Sequence, residues 1–386
     1  MSTAKRRLPA TVIALSLTSL FNDIGTEMVF PLLPAFLVML GAGPTFLGLL
    51  EGVADATGAL LKYFSGGWSD RMSRRKPLVL FGYSVTALVR PLITLASAPW
   101  HVLAVRVTDR VGKGVRATPR DVLLASSVEP SETGRAFGFH QAMDHAGAVA
   151  GPLIATMLLG FHVPMRTVFA IAAIPGVLAV LFVLIIKERP VTRVVTGKTD
   201  VAMPLPPRLK GLLGIFLVFA LANSSDAFLL LRAKELGVSD ALLPVLWCAL
   251  SVSKMVWSVL GGAWSDRMPR HRLVLIGWGV YVATYVALGF ANSAWQVWGL
   301  FVIYGAFYGF TEPVEKALIK DLTPEPIRGR AFGAYNAMLG LSSVPAGLLT
   351  GALWQNFGAP TALWVGAGVA LVAAVLLTGW SRARAA

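Results

Sequence analysis

Charged residues line one face of a helix-length apolar segment between Trp100 and Leu124. An α-helix turns about 100° per residue, so side chains at three- and four-residue steps share a face. The charges that follow this spacing are Arg106, Asp109, Arg110, Lys113, Arg116 and Arg120. Charges at bilayer depth are costly and persist where they face a protein interior or a water-filled cavity. The segment therefore predicts a membrane helix that lines a pathway.

The composition supports an integral membrane protein with little mass outside the bilayer. The chain has 386 residues, of which 55% are hydrophobic and only 14% charged, and its mean hydropathy is +0.67. Soluble domains carry about 25% charged residues, and one helical span needs about 20 residues. The hydropathy predicts an all-α protein with twelve transmembrane helices at 10–39, 45–68, 77–97, 100–124, 135–160, 166–187, 211–231, 241–264, 272–291, 295–319, 331–355 and 360–380.

The net charge of +14 arises from loops rather than from a nucleic-acid-binding surface. Basic residues cluster before the first predicted span and then in every second loop, as in Arg71–Lys76 and Arg267–Arg272, whereas most alternate loops are nearly uncharged. This positive-inside pattern predicts that both termini are cytoplasmic. The single Cys248 excludes an internal disulfide. Without glycosylated or disulfide-bonded outer loops, we expect a bacterial or archaeal cytoplasmic membrane.

The two halves of the chain repeat one another. The segment Gly67–Met72 returns as Ala263–Met268, 196 residues later, and Gly134–Gly138 returns as Gly329–Gly333, 195 residues later. The near-constant spacing predicts a duplicated six-helix unit. The predicted organisation is an N-terminal bundle at 1–187, a polar, basic cytoplasmic linker at 188–210 and a C-terminal bundle at 211–386.

The loop after the second predicted span carries a glycine, an Asp-Arg pair and a basic pair, in Gly66–Arg75. With the repeat and the twelve spans, this motif resembles the major facilitator superfamily over essentially the whole chain. Ser73 replaces the motif's usual second glycine, as does Pro269 in the repeat. The resemblance implies two pseudo-symmetric six-helix bundles and gates at helix ends. The residues expected to gate are Asp70, Arg71, Arg75, Arg135, Asp266, Arg267 and Arg330.

Two further motifs bear on the resemblance. Arg106 matches the family's intramembrane arginine by position, although Arg110 replaces the glycine expected four residues later. The fifth predicted span matches the family's antiporter pattern, with Leu153 and Ile154 in place of its final glycine pair. The residues that match are Gly138, Gly147, Gly151 and Pro152. Small residues let helices approach closely and proline weakens a helix. This resemblance implies export.

Asp23 and Glu27 lie one turn apart on the first predicted span. A carboxyl group there is destabilised by burial and stabilised by a nearby cation, so its protonation can follow access to either side. The candidate partners are Arg106 and Arg110, because the family resemblance places spans one and four around a central cavity. The alternative is a permanent structural ion pair.

Other polar residues within spans extend this hypothesis. One face of the second predicted span carries Glu51, Asp55 and Lys62, which we expect to pair with neighbouring helices. On the fifth predicted span, His140 and Asp144 lie one turn apart, beside His145, and suggest a proton relay or a divalent-metal site. Asn223–Asp226 forms a polar break in the seventh span. The repeat sets Asp121 against Lys316, as a pair between bundles requires. The residues expected to handle protons or substrate are Asp23, Glu27, Arg106, Asp109, Arg110, Lys113, Asp144, Asp226, Tyr304, Tyr308 and Glu312.

The sequence thus predicts a monomeric secondary transporter, driven by protons, that exports a small organic solute of drug-like or anionic character. The alternatives are uptake or exchange of an organic anion and, less favoured, export of a metal ion or metal chelate. No G-x4-G-K-[ST] loop is present, so ATP drive and a bound cofactor are not expected. A membrane enzyme or a sensor is disfavoured, because neither a nucleophile motif nor a soluble output domain is evident.

Overall fold

The computed structural model describes residues 8–42, 44–188, 203–223, 226–239 and 242–382. All regular elements in these ranges are helical. The α-helices are α1 Ala10–Val29, α2 Leu33–Met39, α3 Pro44–Arg71, α4 Lys76–Val89, α5 Pro99–Ser126, α6 Thr133–Gly160, α7 Met165–Ile171, α8 Ala173–Ile185, α9 Pro207–Ala222, α10 Ala227–Glu235, α11 Leu243–Ser265, α12 Arg270–Phe290, α13 Ala294–Asp321, α14 Arg328–Phe357 and α15 Ala359–Arg382.

Several predicted spans are interrupted rather than continuous. A 3₁₀ turn at Phe30–Leu32 separates α1 from α2, and another at Arg90–Leu95 follows α4. Each turn has proline at its second position, where the missing N–H prevents a regular α-helical hydrogen bond. The prediction of a single first helix over 10–39 is therefore wrong in its local geometry.

The seventh predicted span is also broken. Helix α9 ends at Ala222, and α10 starts at Ala227 after Asp226. Of the predicted polar break, Asn223 and Asp226 are described, whereas Ser224 and Ser225 lie outside the described residues. Residues 189–202 of the predicted linker and the side chain of Glu51 also lie outside them.

Seven segments in the described ranges are long and apolar enough to cross a membrane by length and composition alone. They are Lys76–Leu95, Pro130–Gly160, Met165–Ile185, Val245–Ser265, Arg270–Phe290, Glu325–Phe357 and Ala359–Arg382. Helix α5 is not among them because of its charged face. Its charges are buried by protein, since Arg106, Asp109 and Arg116 are each less than a tenth exposed.

The helices form two six-span bundles of the same design. In the first, α1 packs on α6 and α8, while α5 packs on α3 and α4; in the second, α13 packs on α11 and α12, and α15 on α9 and α12. The bundles meet through two repeat-related pairs, α3 with α14 and α11 with α6. We call the end of the molecule where α3 and α11 terminate the basic end, because the Arg71–Lys76 and Arg267–Arg270 loops lie there.

Glycines bring the two bundles into backbone contact near the basic end. A Cβ atom added to Gly66 on α3 would lie 3.1 Å from the Gly333 Cα on α14. A Cβ added to Gly262 on α11 would lie 2.8 Å from the Gly138 Cα on α6. Such approach distances exclude a side chain at these positions. The two bundles are therefore sealed against each other at the basic end.

Candidate functional site

Two aspartates fasten the bundles together at the basic end. Both carboxylate oxygens of Asp70 accept hydrogen bonds from the first turn of α14, at 2.6 Å from the Gly329 N and 2.8 Å from the Arg330 N. Asp266 accepts in the same way from the first turn of α6, at 2.8 Å from the N atoms of Gly134 and Arg135. The first amides of a helix lack partners within it and carry partial positive charge. Each aspartate thus caps a helix of the opposite bundle.

The arginines near these two aspartates contribute unequally to the contact between the bundles. The Arg330 Nε lies 3.5 Å from the Asp70 carboxylate. Arg270, which was not predicted, lies 3.2 Å from Asp266, pairs with Asp321 and donates to the Pro130 carbonyl of the other bundle. In the described part of the chain, Arg71 makes no ion pair, so the aspartates are the principal contacts.

Two other predicted gates, Arg75 and Arg267, also lie at the basic end. Arg75 is buried, and its backbone N donates to Glu188 within its own bundle. Arg267 is exposed and likewise has no ion pair among the described residues. Burial raises the pKa of the Asp266 carboxyl, although the two amide hydrogen bonds and Arg270 oppose that shift.

A polar cavity of about 310 Å³ lies between the two bundles. Helices α1, α3, α5 and α6 line it from the first bundle, and α13 and α14 from the second. The lining residues are Asn22, Asp23, Lys62, Lys113, Arg116, Ala117, Arg120, Asp121, Gln141, Asp144, Glu312, Lys316, Tyr335, Asn336 and Leu339. Five of these side chains are cationic and four are acidic, so the wall is nearly balanced in charge.

Asp23 faces this cavity, as predicted, but with other neighbours than expected. Its Oδ1 accepts a hydrogen bond of 2.8 Å from the Asn22 Nδ2, and the charges that act on it are those of Asp144, Lys113 and Arg116. The predicted partners lie elsewhere. Arg110 pairs with Asp55 at 3.4 Å, and the Arg106 guanidinium lies over the Phe30 ring. The predicted pairing of Asp23 with Arg106 and Arg110 is therefore wrong. Both arginines lie closer to the Pro99 end of α5 than Lys113 and Arg116, which share the cavity wall with Asp23.

The charged face of α5 is divided among several partners. Asp109 pairs at 3.1 Å with Arg90, a buried arginine of the turn after α4 that sequence reasoning missed. Arg116 donates to the Thr86 Oγ1 at 2.7 Å and lies over the Tyr83 ring. An isolated arginine within a span requires a buried partner, and this rule could have identified Arg90.

Toward the basic end, α5 connects to the other bundle. Asp121 lies 3.1 Å from Arg120 and 3.5 Å from Lys316 on α13. Asp121 and Lys316 are the repeat-related pair that the sequence set against each other. The 195-residue repeat also relates Arg120 to Glu315. Glu315 accepts a 2.7 Å hydrogen bond from Tyr335 rather than pairing with Arg120.

The histidines of α6 face acids from both bundles. The His145 Nε2 lies 3.5 Å from the Glu312 carboxylate on α13, and the His140 Nε2 lies 3.8 Å from the Asp144 Oδ1. Among the described residues, no three His, Cys, Asp or Glu side chains come close enough together to hold a metal ion.

Asp226, Tyr304 and Tyr308 form a second polar cluster inside the C-terminal bundle. The Tyr308 hydroxyl donates to Asp226 at 2.7 Å, and the Tyr304 hydroxyl lies 3.4 Å away. Lys254 on α11, which was not predicted, pairs with Asp226 at 2.9 Å and lies 3.6 Å from the centre of the Tyr308 ring. The structure thus brings these three predicted residues together, but away from the cavity that Asp23 lines.

The glycines of the antiporter-like pattern serve two contacts. Gly138 packs on α11 of the other bundle, whereas Gly147 and Gly151 pack on α1. A Cβ added to Gly147 would lie 2.9 Å from the Asp23 Cβ, and one added to Gly151 would lie 2.7 Å from the Glu27 Cβ. These glycines hold α6 against α1 at the two predicted acids. Glu27 is partly buried there but does not line the cavity.

Comparisons with known proteins agree with this architecture. The Major Facilitator Superfamily model matches residues 15–251 and 211–385. An uncharacterised MFS-type transporter of Methanocaldococcus jannaschii is 31% identical over 96% of this chain and 95% of its own. The multidrug resistance protein MdtG of Salmonella paratyphi C is 27% identical over 96% of this chain and 94% of its own.

Solved structures share the fold at low sequence identity. The human organic anion transporter MFSD10 has a TM-score of 0.79 and 15% identity, covering 97% of this chain and 100% of its own. A bacterial homologue of the iron transporter ferroportin has a TM-score of 0.73 and 17% identity, covering 96% and 99%. These likenesses concern the fold alone.

Proposed function

Because the chain belongs to the major facilitator superfamily, we propose that it exports a small organic solute in exchange for protons, through the cavity between its bundles. The halves 1–187 and 211–386 rock about the linker 188–210 and open the cavity to one side at a time. The protein works as a monomer in the cytoplasmic membrane of a bacterium or archaeon, with both termini in the cytoplasm.

The observation that carries this proposal is the juxtaposition of Asp23 and Asp144 in the cavity wall. Asp23 lines the cavity from α1 and Asp144 from α6, and the negative charge of Asp144 acts on the Asp23 carboxyl. Two like charges repel, so a proton or a cation shared by the pair lowers its energy. A proton bound there also changes the charge of the cavity that receives the solute.

The contact between α1 and α6 supports export. The antiporter-like glycines Gly147 and Gly151 set the separation of these two helices beside Asp23 and Glu27. Pro152 follows within α6, where a proline allows a helix to bend. Relatives over most of the chain bear the names of multidrug resistance proteins, among them MdtG. We extend that direction of transport to this chain as part of the proposal.

Uptake or exchange of an organic anion is the second candidate. The slight excess of cations over acids in the cavity favours it. Export of a metal ion has no comparable support among the described side chains.

The test measures how protons change the conformation. Spin labels on Ser73→Cys and Glu325→Cys, in a Cys248→Ser background, report the separation of the bundles at the basic end by double electron–electron resonance. We expect acidification from mildly alkaline to mildly acidic buffer to redistribute the two conformations in liposomes, because the proton binds them with different affinity. In Asp23→Asn and Asp144→Asn the redistribution should be lost or strongly reduced.

Asp55→Asn is the matched control. Asp55 is also an intramembrane carboxylate, but its side chain is 65% exposed and does not line the cavity, so its variant should respond to pH as the parent does. An unchanged pH response in both Asp23→Asn and Asp144→Asn would refute proton coupling at this pair.

A further inference from the structure

Two pairs of like charge in the cavity wall lack a partner of fixed opposite charge. Lys62 and Lys113 form the cationic pair, and Asp23 and Asp144 the acidic pair. Within the described ranges, no carboxylate lies within 4.0 Å of either lysine, and the only basic group that close to either acid is His140, 3.8 Å from Asp144. The Asp144 Oδ1 also accepts no hydrogen bond.

The other charged residues of the wall are already engaged. Arg120, Asp121 and Lys316 form an ion-paired group. Arg116 donates to Thr86, and Glu312 lies beside His145. Lys62, Lys113, Asp23 and Asp144 are therefore the charges left for a solute to satisfy.

Helix packing fixes the lysine pair at the contact of α3 with α5. The Ser65 Oγ donates to the Gly114 carbonyl at 2.9 Å, and a Cβ on Gly114 would lie 3.1 Å from the Gly58 carbonyl. Lys113 directly precedes Gly114, and its exposed side chain lines the cavity. Lys62 and Lys113 line the same cavity, so their like charges repel each other. An anion placed between the lysines would relieve this repulsion.

The second bundle also reaches the lysine pair. Asn336 lies on α14 between Gly333, which packs on the Lys62 carbonyl, and Gly340, which packs on Ala59. Asn336 lines the cavity, and its Nδ2 is buried without a hydrogen-bond acceptor. A carboxylate between Lys62 and Asn336 would connect the two bundles.

The acidic pair is fixed in the same way at the contact of α1 with α6. Gly147 packs on Asp23, and Asp144 lies one turn before Gly147 on the same face of α6. A cationic group that binds this pair displaces the proton that would otherwise bind there. Proton and solute then exclude each other, as exchange requires.

We infer that the transported solute is a zwitterion, with its anionic group at Lys62 and Lys113 and its cationic group at Asp23 and Asp144. This inference rests on the proposed role of the cavity as the transport site. A purely anionic solute would bind better when the acidic pair is protonated, which favours cotransport rather than exchange.

The test uses matched probes on the purified full-length protein. The ω-amino acids with chains of four, six and eight carbons carry both charges at increasing separation; hexanoate carries only the negative charge and hexylamine only the positive. Binding is followed by the melting temperature, which rises when a ligand binds the folded state, and by calorimetry. We expect at least one ω-amino acid to raise the melting temperature more than hexanoate or hexylamine at equal millimolar concentration.

The variants separate the two ends of the site. Lys62→Gln, Lys113→Gln and Asp144→Asn should each weaken binding of the preferred ω-amino acid about tenfold or more, the loss expected for one charge-assisted contact. Lys210→Gln, at the exposed start of α9, is the control and should bind as the parent does. If a variant fails to fold, which its ligand-free melting curve reports, the remaining two decide.

Three outcomes would overturn the inference: no ω-amino acid binds, hexanoate binds as tightly as the best zwitterion, or Asp144→Asn leaves zwitterion affinity unchanged. A normal pH response of the spin-labelled parent together with any of these would reject the zwitterion while retaining the proposed proton coupling. Loss of that pH response would instead count against the proposed function.

Discussion

Gly147 is the residue on which the acidic side of the cavity depends most directly. It allows α6 to approach α1 so closely that a Cβ atom would lie 2.7 Å from the Leu20 carbonyl and 2.9 Å from the Asp23 Cβ. Neither neighbour can move away easily, because the Leu20 carbonyl is part of the α1 backbone and the Asp23 Cβ is bonded directly to it. The glycine thereby sets the distance between Asp23 and Asp144.

Gly147→Val should therefore destabilise the protein and disturb the carboxylate pair. Overpacking a close contact costs about 1–3 kcal/mol, which we expect to appear as a lower melting temperature and a reduced pH response of the spin-labelled protein. Gly160→Val is the control, since a Cβ at Gly160 meets no atom within 4 Å. Equal melting temperatures for the two variants would contradict this account of the contact.

Single residues also show what the sequence could reveal about the site. The face of α5 and the acids of α1 follow from helical periodicity and from the cost of charge in a bilayer. Lys254 was missed because it is one charge in an apolar helix, and its partner Asp226 lies 28 residues away. Which residues of α5 lie nearest Asp23 depends on how α1 and α5 align, and a single sequence does not reveal that alignment.

At the scale of helices, Asp70 and Asp266 join one bundle to the other through backbone amides. Each carboxylate satisfies two N–H groups in the first turn of a helix. In the proposed transport cycle the basic end opens, and these amides then exchange their protein partners for water. The two caps thus stabilise the sealed conformation specifically, which a contact within one bundle cannot do.

Asp70→Ala and Asp266→Ala should each shift the spin-labelled protein toward the form open at the basic end. Loss of a helix cap costs about 0.5–2 kcal/mol, and about 1 kcal/mol changes a conformational ratio roughly fivefold. Asparagine retains one acceptor oxygen, so Asp266→Asn should shift the ratio less than Asp266→Ala.

Glu188→Ala provides the control for these caps. Glu188 accepts from the backbone N atoms of Arg75 and Lys76 at 2.7 and 2.8 Å, but both partners belong to its own bundle. Its loss should leave the distance distribution at the basic end unchanged. A shift equal to that of Asp70→Ala would show that the effect is general destabilisation.

At the scale of the whole molecule, the repeat at 195 and 196 residues predicted two bundles of equal design, and the structure and family confirm that fold. The interruptions at Pro31 and Pro91 were not predicted, because hydropathy reports where a span lies but not whether its helix is continuous. Proline alone does not decide this: Pro119 and Pro152 lie within unbroken helices.

The orientation of the molecule remains a prediction from the basic loops. Green fluorescent protein fused after Ala386 should fluoresce in bacteria, because it matures in the cytoplasm and not after export through the general secretion pathway. Alkaline phosphatase fused at the same residue should be inactive. Active phosphatase with a dark fluorescent protein would reverse the assignment of the basic end.

The contact between Asp121 and Lys316 carries a consequence for how the two halves associate. These residues occupy equivalent positions of the repeat, 195 apart, and meet at 3.5 Å. A pair formed by two copies of the N-terminal half would set aspartate against aspartate, and two copies of the C-terminal half would set lysine against lysine. The two halves thus carry opposite charges at this repeat position, so the contact favours association of one half with the other over association with a second copy of itself.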